Sequence, residues 1–432
     1  MKKFILYLSL LSLHLSFAQH LYQSEPAVRV RILNNTDTLK IIFNDDWLMT
    51  SETISKQILH NDSEAVFTME NDRIKIVEPG GESYIPHDKF ILHSSSDTST
   101  LIIKNVSFGV GWWWEGKEDR IYEGELHIYK TDENKFEVVV HLLIEQYLKG
   151  VVPYEIGPDS PLEALKAQAV AARSEAIIAL NSKLYSGEHY DLTSDVECQV
   201  FSGNRGRTGK SDLAVELTKS LILCEKDKPI NAYYASNCGG HSELIKNVWG
   251  DRPAPESYNI SQFDWEEQND LDLSVEENVR EWIFSNPPSY CNPNINRELP
   301  EWSQNNFRWK REFTFDELTK MTSKGKDLGY LLDIEILKRG TSGRAYLTKF
   351  IFEKETTEAK GELKIRQMFS PPLRSSCFVI DKTETGFVLH GAGWGHGVGM
   401  CQSGAITMAN NGKSFEEILK HYYQKAELMR IY

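Results

Sequence analysis

The sequence predicts a mixed α+β fold, dominated by antiparallel strands, with a few helices and a β-rich N-terminal region. Three observations carry that expectation. Residues 27–45 (AVRVRILNNTDTLKIIFND) alternate apolar and polar side chains on either side of a polar Asn-Asn-Thr-Asp turn. YEGELHIYKT and KFEVVVHLLI repeat the alternation around Asp132-Glu133-Asn134, a hairpin pattern. Residues 162–180, rich in Ala and Leu and free of Gly and Pro, read as a long helix. At 432 residues, 41% apolar and 25% charged, the chain can build one large or two ordinary domains. A net charge of −14 argues against nucleic acid or an anionic membrane as the main partner.

In chain order, MKKFILYLSLLSLHLSFAQH reads as a secretory signal peptide over 1–18. Lys2 and Lys3 form its positive start, and Ser16-Phe17-Ala18 its cleavage site. The apolar run is too short and too rich in serine for a membrane span, and no later segment is long and apolar enough for one. The expected location is outside the cytoplasm, periplasmic or extracellular. Residues 19–115 form the β-rich N-terminal region and 116–432 the second domain. Trp112-Trp113-Trp114 offer flat faces that suit either core packing or sugar rings. The six cysteines, Cys198, Cys224, Cys238, Cys291, Cys377 and Cys401, are even in number, which in an oxidising compartment fits disulfides; the spacing does not choose among pairings.

Tyr147–Ala176 (YLKGVVPYEIGPDSPLEALKAQAVAARSEA) is the richest stretch. It places a lone carboxylate, Glu155, in a Pro/Gly-bounded loop. Ser160, Pro161 and Glu163 then match an N-terminal capping box. Lys166 and Arg173 fall on the apolar stripe of the helix that follows. Burying a cation without a partner costs several kcal/mol, so each should meet a carboxylate, carbonyls or an anionic ligand. Two readings follow: a structural ion pair, or the floor of a polar cleft with Glu155 at its mouth.

Farther on, 208–221 reads as a helix, and LILCEKDKPINAYYASNCGGHSE as a hairpin. The hairpin enters Ser236-Asn237-Cys238-Gly239-Gly240, whose glycines permit close approach by a ligand. Residues 251–311 read as an irregular surface insertion. A short helix starts at Phe313–Leu318, and strands follow at 330–338, 345–353 and 361–366. The glycines of 391–399 lack the G-x-G-x-x-G spacing of a dinucleotide site and instead build a tight corner that presents Trp394 and His396. A helix from Gln402 to near Gly412 and another over 415–423, opened by a Ser414/Glu417 capping box, close the chain.

With these motifs in view, the chain resembles the stage II sporulation protein D (SpoIID) family. The matching pieces are YLKGVVPYEIG, PLEALKAQAVAARSEA, CQVFSG, YYASNCGGHSE, VWG, SGRA and GWGHGVGMCQSGA. The resemblance runs from about residue 122 to 432. It implies action on bacterial peptidoglycan, as a lytic transglycosylase that leaves 1,6-anhydro ends. The alternative is a non-catalytic glycan-binding role, with a cell-wall amidase as the partner it enhances. The family's catalytic glutamate maps to Glu155, and its functional helix residues to Lys166, Gln168 and Arg173. Tyr234, Ser236, Asn237, Trp394 and His396 complete the expected substrate contacts. No cofactor is expected. Some members bind zinc through a His and cysteines before the QVF strand; His189 and Cys198 stand there, but the intervening Leu-Thr-Ser-Asp lacks the further cysteine. A conventional hydrolase would need a second carboxylate, for which Asp195 is the candidate.

Overall fold

Alternating side chains become two facing sheets. The computed structural model describes residues 21–54, 57–77, 87–94, 96, 98–110, 115–250 and 260–432. The signal segment, Trp112–Trp114 and 251–259 lie outside the described residues. Strand Ala27–Thr36 belongs to a seven-stranded sheet, pairing antiparallel with Phe136–Leu143 and parallel with Leu192–Thr193. The turn at Asn34–Asp37 carries the chain to the other sheet, where Thr38–Phe43 lies between Glu64–Glu70 and Leu101–Phe108 in an order of five strands. Val28, Val30, Ile41, Phe43 and Phe67 point inward and are fully buried, giving the two sheets one shared apolar core. The hairpin predicted around Asp132–Asn134 forms as Glu125–Lys130 and Phe136–Leu143.

Two helices close this core. Helix α1 (Ile144–Ile156) follows the last strand directly, and helix α2 (Leu162–Ser182) runs across it. The sequence gives no warning of α1, because Gly150 and Pro153 mark its second half as a loop. Burial overrides that propensity: Tyr147, Leu148, Val151, Val152 and Ile156 all enter the core. The predicted capping box of α2 does not form. The Ser160 hydroxyl donates to the Ile156 carbonyl (2.7 Å), so it closes α1 instead of opening α2. The Glu163 carboxylate accepts from Lys166 (2.7 Å) and from the Phe415 backbone N–H (2.9 Å).

Arg173 is fully buried on α2. Its guanidinium grips the Glu145 carboxylate of α1 through two bonds, Nε at 2.9 Å and Nη2 at 2.6 Å, and donates to the Leu221 carbonyl at 2.9 Å. Glu145 also accepts from the Ser220 N–H (3.2 Å) and the Tyr432 hydroxyl. The structural ion pair is therefore the arrangement found, and the expectation of Arg173 in a cleft floor fails. A buried guanidinium needs a desolvated partner, and Glu145 supplies it.

The C-terminal half adds two three-stranded sheets. One holds Arg308–Thr314, Gly386–Ala392 and Phe378–Lys382; the other holds Leu331–Arg339, Ala345–Phe352 and Thr356–Lys360. The strand expected over 361–366 is a helix, Glu362–Arg366, opened by Gly361 in a left-handed conformation. Within the expected insertion, 260–311 has little regular structure, yet it does not lie wholly on the surface. Phe263, Leu273, Val279, Trp282 and Ile283 form a core of their own with Val379 and Ala392. The closing helix, Phe415–Tyr422, has its capping box: Ser414 Oγ accepts from the Glu417 N–H, and Glu417 Oε2 accepts from the Ser414 N–H (2.8 Å).

Two stability outcomes follow. Arg173→Leu strands the Glu145 carboxylate and should cost about 3–5 kcal/mol in denaturant unfolding. Ser414→Ala should cost about 1 kcal/mol in the same assay. Wild-type stability in the Arg173 variant would show that the pair does not brace the two helices.

Candidate active site

Glu155 occupies the last turn of α1, not a loop, just before Gly157 ends the helix with φ 90°. The side chain is half-buried, enclosed by protein on most sides but reached from solvent. Its Oε1 accepts from the Val200 backbone N–H at 2.8 Å. Gln402 and Tyr234 also hydrogen-bond to the carboxylate. Burial raises its pKa from 4.5 to about 7, outweighing the three hydrogen bonds, which pull the other way. The negative end of the α1 dipole acts in the same direction as burial. No charged neighbour figures among these influences, so Lys166 and Arg173 do not pull the acid toward ionisation.

Around this acid the fold builds a ring of neutral polar groups. Tyr234, on strand Tyr234–Ala235, donates to Gln199 Oε1 at 2.8 Å. Gln199 Nε2 in turn donates to the Ala172 carbonyl of α2 (3.2 Å) and to the Tyr147 hydroxyl (3.4 Å). Gln402 Nε2 donates to Gln168 Oε1 at 3.2 Å, so the expected residue Gln168 reaches Glu155 through Gln402. Gln168 is fully buried, and its own Nε2 has no acceptor among the described residues. Burial, then the Glu155 charge, raises the Tyr234 phenol well above its ordinary value, so it stays a neutral donor.

The remaining expected contacts divide. Ser236 is half-buried, its hydroxyl accepting from Asn306 Nδ2 at 3.4 Å. Lys166 is half-buried but tied to Glu163, its ammonium 5.0 Å from the centre of the Phe415 ring. Asn237 is fully buried and braces the backbone: Nδ2 donates to the Cys291 carbonyl (3.2 Å) and Oδ1 accepts from Gly239 N–H (2.9 Å). That placement removes it from direct substrate contact. A pair of backbone bonds joins Asn237 to Trp394, which is half-buried at the glycine corner. His396 is also half-buried there, with Nδ1 accepting from the Val398 N–H at 3.0 Å. Burial, then the charges of Arg344 and Arg366, lower its pKa to about 3, so the ring is neutral and suited to fixing the corner.

That corner needs its glycines. A Cβ at Gly399 would stand 1.9 Å from the Tyr233 carbonyl oxygen, and one at Gly397 2.3 Å from the Arg344 guanidinium carbon. Arg344, from the SGRA stretch, is itself buried and donates to the carbonyls of Cys238 (3.1 Å) and Gly395 (3.3 Å).

Sequence reasoning passed over four participants. Tyr147, Gln199 and Gln402 lie inside stretches singled out as motifs, but their roles depend on partners far along the chain. The fourth, Trp302, is exposed on helix Glu301–Gln304, with its indole Nε1 only 3.4 Å from where a Gly157 Cβ would stand. It is an aromatic surface beside Gly157, which lies two residues after the acid in sequence.

His189 and Cys198 do not form a metal site. His189 Nδ1 bonds Glu137 (2.8 Å) and its ring stacks on Tyr129, while Cys198 Sγ faces Tyr185 and the Thr193 N–H. Asp195 accepts from the Val196 N–H beside it, and no contact joins it to Glu155 among the described residues. The expected disulfides are not formed, all six cysteines being free thiols. No described helix is long and apolar enough to cross a membrane.

A family model described as Stage II sporulation protein matches residues 132–224, which hold Glu155 and both core helices, and a domain of unknown function matches 243–399. An uncharacterized protein of Brachyspira hyodysenteriae is 31% identical over 294 residues, covering 68% of each chain. The amidase enhancer of Bacillus subtilis is 28% identical over 288 residues, which is 64% of this chain but 39% of that protein. Stage II sporulation protein D of Bacillus amyloliquefaciens is 25% identical over 329 residues, 73% of this chain and 82% of that one. The chain belongs to the stage II sporulation protein D family.

Proposed function

We propose that this protein is an exported peptidoglycan lytic transglycosylase that cleaves between N-acetylmuramic acid and N-acetylglucosamine, with Glu155 as its acid and base. The observation that carries the reading is the setting of Glu155: a reachable carboxylic acid that burial raises to about 7, with no charged group among the influences on it in the described residues. A hydrolase needs two carboxyl groups, one as acid and one to activate water or attack the sugar. Transglycosylation needs one, because the muramyl 6-hydroxyl is the nucleophile. Glu155 gives its proton to the departing glycosidic oxygen as the C1–O bond breaks. The 6-hydroxyl oxygen bonds to C1, and its proton returns to Glu155, which ends as it began.

The surrounding groups suit that cycle. The Val200 N–H donates to the carboxylate, and the polar, neutral side chains of Gln402 and Tyr234 beside it also favour the charge, which is thereby stabilised between the two proton transfers. They remain uncharged, so they do not drive the proton off beforehand. Trp302 offers a flat face for a sugar ring beside the end of α1, and Ser236, Trp394 and Lys166 are the expected residues still partly open to substrate. The second reading, a glycan-binding enhancer of a cell-wall amidase, is favoured by the relative named amidase enhancer. Pure binding leaves the buried acid without a task.

Glu155→Gln should lower release of anhydromuropeptides from peptide-free glycan at least about 100-fold while glycan binding persists. Mass spectrometry of the termini decides: unchanged anhydro product in the variant refutes the role of Glu155, and products carrying an added water point to hydrolysis. No cleavage by the wild type, with stimulation of a separate amidase, would establish the binding role instead.

The pH dependence has a fixed sign. The folded chain holds the Glu155 proton more tightly than the unfolded chain does. Its contribution to stability is therefore complete below 4.5 and is lost as pH rises through about 7. Activity should fall over the same upper limb, since the acid form starts the reaction. The melting temperature of Glu155→Gln should gain on the wild type between those values and hold its lead above them. A gap that stays constant with pH would show that Glu155 titrates as an ordinary carboxylate.

A further inference from the structure

Away from Glu155, four side chains from distant parts of the chain converge in the interior. Cys238 follows strand Tyr234–Ala235, Asp264 and Cys291 come from the irregular segment, and Cys401 ends strand Met400–Cys401. All four are buried, and one ligand atom from each lies within 4.8 Å of all the others. Cys238 Sγ is 3.5 Å from Cys291 Sγ and 3.2 Å from Asp264 Oδ2.

We propose that Cys238, Cys291, Cys401 and Asp264 hold a zinc ion in a closed, tetrahedral structural site. Zinc–sulfur bonds of about 2.3 Å in a tetrahedron set sulfur–sulfur edges of about 3.8 Å, close to the spacing found here. Three thiolates and one carboxylate are a donor set that zinc favours over hard cations. Full burial leaves no open position for water or substrate, which makes the site structural.

The surroundings are those of a ligated set. Asp264 turns Oδ2 toward the thiols, while Oδ1 accepts from the Tyr422 hydroxyl (2.9 Å) and lies 3.3 Å from His421 Nε2, an outer shell that orients the carboxylate as a one-oxygen ligand. The Cys238 backbone N–H donates to Cys401 Sγ (3.2 Å), and Ser289 Oγ lies 3.2 Å from Cys291 Sγ. Gly404 leaves room for this shell: a Cβ there would stand 2.1 Å from the Tyr422 hydroxyl and 2.8 Å from Asp264 Oδ2. Without a cation, a buried carboxylate would face three sulfurs with His421 as its sole ion-pair partner among the described residues. On binding, the three thiols lose their protons to solvent and no redox change occurs, so the sulfurs are also kept from pairing with one another.

The site lies next to the catalytic ring without belonging to it. Ala235 is paired with Cys401 in a parallel ladder, flanked by Tyr234 on one side and Gln402 on the other. Those two side chains bond Glu155, so the ion would fasten the ladder that holds the acid. The assignment does not rest on Glu155 being catalytic.

Elemental analysis of the full chain should find about one zinc per molecule, and cobalt substitution should give thiolate-to-cobalt charge-transfer and tetrahedral visible bands. Tyr422→Phe, which keeps all four ligands, should weaken zinc retention about 10–100-fold against a competing chelator. Cys401→Ser should lose the ion. Folded wild-type protein purified without zinc, unable to take it up and lighter by two hydrogens with Cys238 linked to Cys291 or Cys401, would overturn the site. So would full zinc retention in both variants.

Discussion

The bond between Glu145 and Arg173 fixes the frame from which the site hangs. Both groups are desolvated, so neither can leave the other without a large penalty. The pair crosses from α1 to α2 and gathers Ser220, Leu221 and Tyr432 around it, joining the sandwich core to the chain terminus. Glu155 lies ten residues farther along the same helix, about 15 Å at the usual rise. A helix held at its start and packed along its length by Tyr147, Val151 and Val152 delivers its last turn to one place.

Opposing forces meet at that last turn. Hydrogen bonds from a backbone amide, a side-chain amide and a phenol favour the charged carboxylate, while burial and the helix terminus favour the acid. The balance leaves the group able to exchange a proton near neutrality. A cation in the ring would have tipped it toward permanent ionisation. The fold avoids this by pairing Arg173 with Glu145 and Lys166 with Glu163, so the cations of α2 are neutralised before they can act on the acid.

The C-terminal half supplies the other wall. Strand Met400–Cys401 lies beside Tyr234–Ala235, and Gln402 follows as the first residue of a helix. The glycine corner before it is braced by Arg344, and the cysteine cluster sits behind it. An open groove of about 820 Å³ is lined by Trp265, Tyr290 and His421, the last of these beside Asp264 of that cluster. Both halves of the chain thus supply groups around one carboxylate.

Periodicity by itself determined the mixed α+β class, the hairpin at 125–143, the long helix and the final capped helix, because each depends on neighbours a few residues apart. It also drew attention to Glu155, and motif resemblance gave that residue a role. Local rules failed where burial outbid them: Pro153 sits inside a helix, Ser160 caps the wrong one, and 260–311 is irregular yet packed. Only the tertiary structure decided that Arg173 is a strut and Asn237 a brace, and that Gln199 and Gln402 flank the acid. The same holds for three cysteines and Asp264, which meet without any spacing that announces them. Those outcomes depend on desolvation and on contacts between residues tens to hundreds of positions apart, which no local pattern encodes.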